Sequence, residues 1–255
     1  MKKIFLISLL LVSCFSQAKE LLPDSDEYEL KYMTSDLASP FTTKADRILY
    51  TGTLLSVASL LYETGSNEDL QRRISNERPL GSFSQIGDIA GQLVPNAAYT
   101  LGMVGAYYLS DDPFIKAKSL HRAFYMFETS LYAGAASIVL KTIVNERRPN
   151  LHDNHSFPSG HSTTAFAFAG VIGLEHEWYY GVPAYVLAAY VAFSRLNDNA
   201  HYLHDTIAGA TIGLSYAFGI WYNRHPGNDS QTQQNLFILP TDDLSGSIVN
   251  WQYHF

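Results

Sequence analysis

A mainly α-helical bundle of about six core helices is what this sequence predicts, and three observations predict it. Six apolar stretches, 48–62, 89–109, 123–140, 163–174, 182–193 and 207–222, follow one another along the chain. They are rich in Ala, Gly and Leu, and even the shortest is longer than an ordinary strand, which favours helices. Polar loops separate them, notably 63–88 with Gly65, Pro79 and Gly81, and no internal repeat is evident.

Taken in order, the amino terminus comes first. Met1-Lys2-Lys3 is a short basic region, 4–12 is apolar, and Ser16-Gln17-Ala18 places small residues where a signal peptidase cuts. Residues 1–18 are therefore expected to be a signal peptide, exporting the chain to the periplasm or envelope of a bacterium. Leu11-Val12-Ser13-Cys14 offers lipidation at Cys14 as a second reading. A segment at 19–44, carrying Asp24, Asp26, Glu27 and Glu29, reads as an acidic polar strap or linker. Residues 45–225 hold all six apolar stretches and are expected to form one helical domain. In the tail, 226–255, apolar residues alternate from Val249 to Phe255, which predicts a terminal β-hairpin packed on the bundle.

Lipid or water around the bundle is decided by length. A bilayer span takes about 20 mostly apolar residues, and only 89–109 reaches that length, with Gln92, Pro95 and Asn96 inside it. Glu128 interrupts the third stretch, and the mean hydropathy is −0.05. A soluble or peripherally attached bundle is expected, with contact to a membrane surface left open.

Charge and cysteine content exclude other classes. The chain has 17 basic and 24 acidic residues, a formal charge of −7. Nonspecific nucleic-acid binding is not expected of such a protein. Cys14 is the only cysteine, which rules out an internal disulfide or a cysteine metal cluster. Any positive field has to be local.

Three short motifs supply it. They read K-T-I-V-N-E-R-R-P from Lys141 to Pro149, P-S-G-H from Pro158 to His161, and S-R-L-N-D-N-A-H-Y-L-H-D from Ser194 to Asp205. Lys141 and Arg148 are about two helical turns apart, so on a helix both cations share a face. Arg195 adds a planar fork suited to phosphate oxygens, and Gly160 lets the backbone approach closely. His161 stands where an apolar run begins like a helix, whose N-terminus favours an anion. Phosphate held this way needs no metal and no cofactor. His201 fits the role of nucleophile, with Asp205 four residues on to hold its other ring nitrogen, and His161 fits the proton donor. A phosphohistidine would form and water would cleave it.

In order and spacing the three motifs resemble the type 2 phosphatidic acid phosphatase superfamily, which includes class A acid phosphatases and vanadium haloperoxidases. The family pattern, K-x6-R-P, P-S-G-H and S-R-x5-H-x3-D, is met without a mismatch. The resemblance implies that Lys141, Arg148, Ser159, Gly160 and Arg195 hold phosphate, and that His201, Asp205 and His161 are catalytic. Singly, each motif has a plainer reading: a solvated helix face, a helix cap, or a His201, His204 and Asp205 cluster that could cap a helix or bind a metal. Arg78-Pro79 repeats the dipeptide with Gln71, not lysine, seven residues before Arg78.

The expected function is a metal-independent phosphatase acting on phosphomonoesters or pyrophosphates, soluble or lipid-linked, in the cell envelope. A vanadium-dependent haloperoxidase and a noncatalytic phosphate or headgroup binder are the alternatives. Substrate identity and oligomeric state lie beyond the motifs.

Overall fold

The computed structural model describes residues 25–65 and 70–225. Among the described residues there are nine α-helices and no strand: α1 (Ser25–Thr42), α2 (Asp46–Gly65), α3 (Leu70–Glu77), α4 (Ser84–Ala90), α5 (Val94–Leu109), α6 (Pro113–Val144), α7 (Gly160–Glu175), α8 (Trp178–Asn197) and α9 (Leu203–Arg224). A 3-10 turn, Gly81–Phe83, precedes α4. The chain separates into two compact units between Ala38 and Ser39, and the candidate site lies wholly in the second. The predicted signal peptide, the alternative lipidation at Cys14 and the terminal hairpin all lie outside the described residues.

Helical character holds for every predicted apolar stretch, but the count of about six is too low. Residues 89–109 do not form one helix. Gly91 caps the end of α4, and Pro95, which has no N–H to give to a preceding turn, sits at the start of α5. The region 63–88, expected as loop, contains α3 and most of α4, and the expected polar strap contains α1. The long helix is instead α6, with 32 residues. Asp112 caps its start by accepting from Phe114 N at 2.8 Å, and Asn145 ends it in the left-handed region at φ 50°. Among the described residues α6 is the one helix long and apolar enough to cross a membrane.

α7 is the central helix, with Ala165, Ala167, Ala169, Val171 and Ile172 buried along it and α6, α8 and α9 packed around. Small residues set how close these helices come. A Cβ on Gly209 of α9 would stand 2.4 Å from the carbonyl oxygen of Ser159, and one on Gly213 would stand 2.4 Å from that of Thr163. Backbone therefore packs on backbone where α9 meets the start of α7, and this brings two of the three motifs together. Glu128, the acid inside the third apolar stretch, is paired with Arg224 of α9.

The outer faces are unusually apolar. Tyr50, Leu54 and Leu61 of α2, Leu101 and Leu109 of α5, Leu131, Ile138 and Ile143 of α6, and Tyr179, Val182 and Val186 of α8 are all exposed. These helices carry apolar side chains toward the core and away from it alike. That pattern fits a protein in contact with lipid better than one surrounded by water.

Candidate active site

The site forms at one end of the bundle, where the last turns of α6 and α8 meet the first turns of α7 and α9. Lys141 lies in the last turn of α6. Arg148 does not share its helical face, because α6 stops at Val144 and Arg148 arrives on the loop that follows. The loop is folded on itself: Arg148 N donates to the Asp153 carbonyl at 3.0 Å, and Ser156 N to the Glu146 carbonyl at 2.9 Å. Lys141 Nζ donates to the carbonyls of His155 at 2.8 Å, of Ser156 at 3.4 Å and of Pro158. Its ammonium thus fastens the segment leading into α7. Burial, with Arg148 adding repulsion, holds its pKa down to about 8.

α7 begins where Ser159 caps it. Ser159 Oγ accepts from Ser162 N at 3.4 Å, and Ser159 N donates to the Asp205 carbonyl at 3.0 Å. Gly160 and His161 therefore open the helix, with its positive end toward the site.

His201 does not sit on the helix with Asp205 but in the turn before α9. The turn is held by the Arg195 carbonyl, which accepts from Ala200 N at 3.0 Å and from His201 N at 3.3 Å. His201 is 2% exposed and Asp205 is fully buried. Asp205 Oδ2 faces His201 Nδ1 at 3.3 Å and also accepts from Ser156 Oγ at 2.6 Å and Tyr202 N at 2.9 Å. Burial alone would raise the Asp205 pKa, but the bonds from His201 and Ser156 and the nearby His204 hold it below the usual carboxylate value.

With Nδ1–H given to Asp205, the free lone pair of His201 is on Nε2. Arg148 Nη1 donates to it at 3.0 Å and to the Ala200 carbonyl at 3.1 Å, while Arg148 Nε donates to Asp153 Oδ1 at 2.8 Å. Burial lowers the His201 pKa, and Arg148 and Lys141 push the same way against Asp205. The ring is therefore neutral near pH 7, the form a nucleophile needs.

Arg195, in the last turn of α8, is almost wholly buried. Its Nη1 donates to Asp88 Oδ1 at 2.6 Å, its Nη2 to Asp198 Oδ2 at 3.2 Å and its Nε to Ser194 Oγ at 3.1 Å. His161 Nε2 lies 3.1 Å from the same Asp88 oxygen, a close approach that is not an aligned hydrogen bond.

The three motifs do converge, and they bring residues with no motif of their own. Asp88, Asp153 and Ser156 each hold a site residue. Behind Asp205, His204 Nδ1 faces Glu63 at 2.7 Å and its Nε2 faces Glu146 at 3.1 Å and Asp205 Oδ1 at 3.3 Å. Glu146, His204 and Asp205 offer ligand atoms within 4.8 Å of one another, spacing a metal could use. Both ring nitrogens of His204 nevertheless point at carboxylates, which suits an imidazolium donor. Burial opposes that charge, but Glu146 and Glu63 outweigh it and lift the pKa to about 10. The ring stacks between Tyr202 and Phe157. The residue types of this cluster were visible in H-Y-L-H-D, but Glu63 comes from a distant helix and nothing local marks it.

A helical bundle with a buried His-Asp pair among arginines, at the N-terminus of a second helix, has the parts that a phosphoryl-binding site requires. Residues 122–228, which carry all three motifs, match the PAP2 superfamily. A lipid A 1-phosphatase of Porphyromonas gingivalis is 37% identical over 79 residues, covering 29% of this chain and 18% of its own. Lipid A 1-phosphatases of Rhizobium johnstonii and Rhizobium etli are each 32% identical over 126 residues, covering 42% of this chain and 49% and 51% of theirs. The chain thus spans about half the length of these relatives or less. Among solved structures, Aquifex aeolicus LpxE aligns at a TM-score of 0.47 and 20% identity, covering 60% of this chain and 92% of that one. A transmembrane PAP2 type phosphatidylglycerolphosphate phosphatase of Bacillus subtilis aligns at 0.41 and 19%, covering 77% and 94%.

Proposed function

We propose that the chain is a phosphatase that removes a terminal phosphate from a lipid in the bacterial cell envelope, through a phosphohistidine on His201. One observation carries this reading: His201 is buried with Nδ1 on Asp205 and its Nε2 lone pair beside Arg148. A binding protein needs the cations but not a neutral imidazole with its attacking nitrogen held toward them.

In the first step His201 Nε2 bonds to phosphorus as the bond to the leaving oxygen breaks, and His161 gives that oxygen a proton. Asp205 stabilises the positive charge that develops on the His201 ring. In the second step water attacks phosphorus, the N–P bond breaks, and His161 takes the proton from water. Arg148, Arg195 and the first N–H groups of α7 hold the phosphate oxygens, with Ser159 and Gly160 shaping that end of the helix. Lys141 supports them by fixing the loop that carries Ser159, and its charge favours the same anion.

The lipid substrate is supported by the exposed apolar faces of α2, α5, α6 and α8, and by the names of the three curated relatives. Lipid A carrying a 1-phosphate is the first candidate. Phosphate release by the purified full chain in detergent, from lipid A and from a water-soluble phosphomonoester, tests this. The lipid should be turned over with the higher kcat/KM, whereas equal or lower kcat/KM for the lipid would remove the lipid assignment.

A further inference from the structure

We propose that Asp88, which belongs to none of the three motifs, is the positioning residue of the proton donor: its carboxylate holds His161 and Arg195 together and keeps His161 able to deliver a proton. The proposal rests on the phosphatase reading and deepens it.

Geometry comes first. One oxygen, Oδ1 of Asp88, is 2.6 Å from Arg195 Nη1 and 3.1 Å from His161 Nε2. α4, which carries Asp88, is held against both partners by glycines on either side. A Cβ on Gly87 would fall 2.2 Å from Ser194 Oγ, the residue before Arg195, and one on Gly91 would fall 2.7 Å from His161 Cδ2 and from Val191 Cγ1. No other side chain than glycine lets α4 lie so close. Asp88 is itself 48% exposed by its side chain.

Charge gives the reason for a carboxylate there. His161 must carry a proton on the nitrogen that faces the leaving oxygen, yet it is largely enclosed and surrounded by cations. Burial and Arg195, joined by His201 and Arg148, lower its pKa to about 4, and Asp88 is the group that pulls it back up. An entering phosphate brings further negative charge to the same place and completes the shift. Asp88 exchanges no proton in either step. The proton moves from His161 Nε2 to the leaving oxygen as the P–O bond breaks and the bond from His201 Nε2 to phosphorus forms. It returns to His161 from water when the N–P bond is cleaved. Asp88 also limits where the Arg195 guanidinium can swing.

The test depends on the leaving group. A nitrophenolate departs without a proton, while an alkoxide does not, so weakening the donor should slow the first, P–O-cleaving step only on alkyl esters, and a single turnover reads that step apart from the hydrolysis common to both. In full-length protein, Asp88→Asn is expected to lower the single-turnover rate of alcohol release from a short-chain phosphatidic acid by about 30-fold or more and that of nitrophenolate release from p-nitrophenyl phosphate by less than about threefold. His161→Ala should give the same asymmetry. Vanadate inhibition by Asp88→Asn should stay within about threefold of wild type, since the variant removes a negative charge from an anion site and leaves the fold in place. Equal losses on both substrates, or no loss on the alkyl ester, would overturn the role of Asp88. A wild-type protein that releases phosphate from neither substrate would instead overturn the phosphatase reading, and the role of Asp88 with it.

Discussion

Asp205 has one carboxylate oxygen taking His201, Ser156 and the Tyr202 amide, and this arrangement sets which nitrogen of His201 is free to attack. Asp205→Asn should fold, because an amide fills the same space, but turning its oxygen to those three donors sets its NH2 against the His204 imidazolium, which lies 3.3 Å from Asp205 Oδ1, and the opposite flip sets the NH2 against His201, Ser156 and Tyr202. The wrong tautomer would then be stabilised, and a fall in kcat of roughly 10²- to 10⁴-fold is expected, measured on p-nitrophenyl phosphate. The lowered pKa of His201 sets the acid limb of kcat/KM. Attack requires the neutral ring, so the rate should rise with pH and level off below 6.5, the ordinary imidazole value. A limb well above that would mean His201 is not the titrating nucleophile. His204 makes a separate prediction on stability. Its folded pKa lies near 10 against 6.5 unfolded, so the imidazolium's contribution is complete below pH 6.5 and is lost as pH rises toward 10. The gap in urea stability between wild type and His204→Gln should therefore narrow across that interval. Lys141, Arg148, Ser159, Gly160, His161, Arg195, His201 and Asp205, which the fold gathers at one end of the bundle, were all marked in the sequence by the three motifs and the resemblance they carry. Their partners Asp88, Asp153, Ser156 and Glu63 were not, because a single acid or serine in a loop carries no periodicity that ties it to a distant residue.

Gly209 and Gly213 on α9 determine how His201 and His161 are brought together. Gly209→Ala would drive a methyl to 2.4 Å from the Ser159 carbonyl oxygen, where backbone on both sides cannot yield easily. A loss of about 1–3 kcal/mol in unfolding free energy is expected. Activity should fall further than stability explains, since Ser159, Gly160 and His161 all move with the start of α7. Gly102→Ala, a site with nothing within 4 Å of the added Cβ, serves as the comparison. The six apolar stretches told where helices would be, and all became helical. They did not tell where helices end. α6 runs to 32 residues because Asp112-Pro113 starts it early and Asn145 stops it, while Gly91 and Pro95 divide what hydropathy alone joins. The assumption that Lys141 and Arg148 share a helix failed for the same reason. A fixed interval of seven fits two helical turns, but the loop after Asn145 delivers Arg148 to His201 equally well.

Among the described residues of the bundle, apolar side chains lie both inside and outside, and charged pairs stand at the site and at the opposite end. There, Arg122 and His121 pair with Glu175, and Arg224 with Glu128. The low mean hydropathy argued for a bundle in water, because averaging the polar lead and tail with the helices hides how many outward positions are apolar. The purified protein is expected to float with phospholipid vesicles and to stay dispersed only in detergent. Recovery of monodisperse protein in plain buffer, with none on vesicles, would favour the soluble bundle. The chemistry itself is decided most directly by trapping the intermediate. Wild type and His161→Ala are mixed with ³²P-labelled p-nitrophenyl phosphate and quenched in alkali, and the protein-bound label is then tested for acid stability. A label that survives alkali, is lost in acid and is absent from His201→Ala is the predicted result. No bound label in either protein, or a label retained by His201→Ala, would contradict a phosphohistidine at His201.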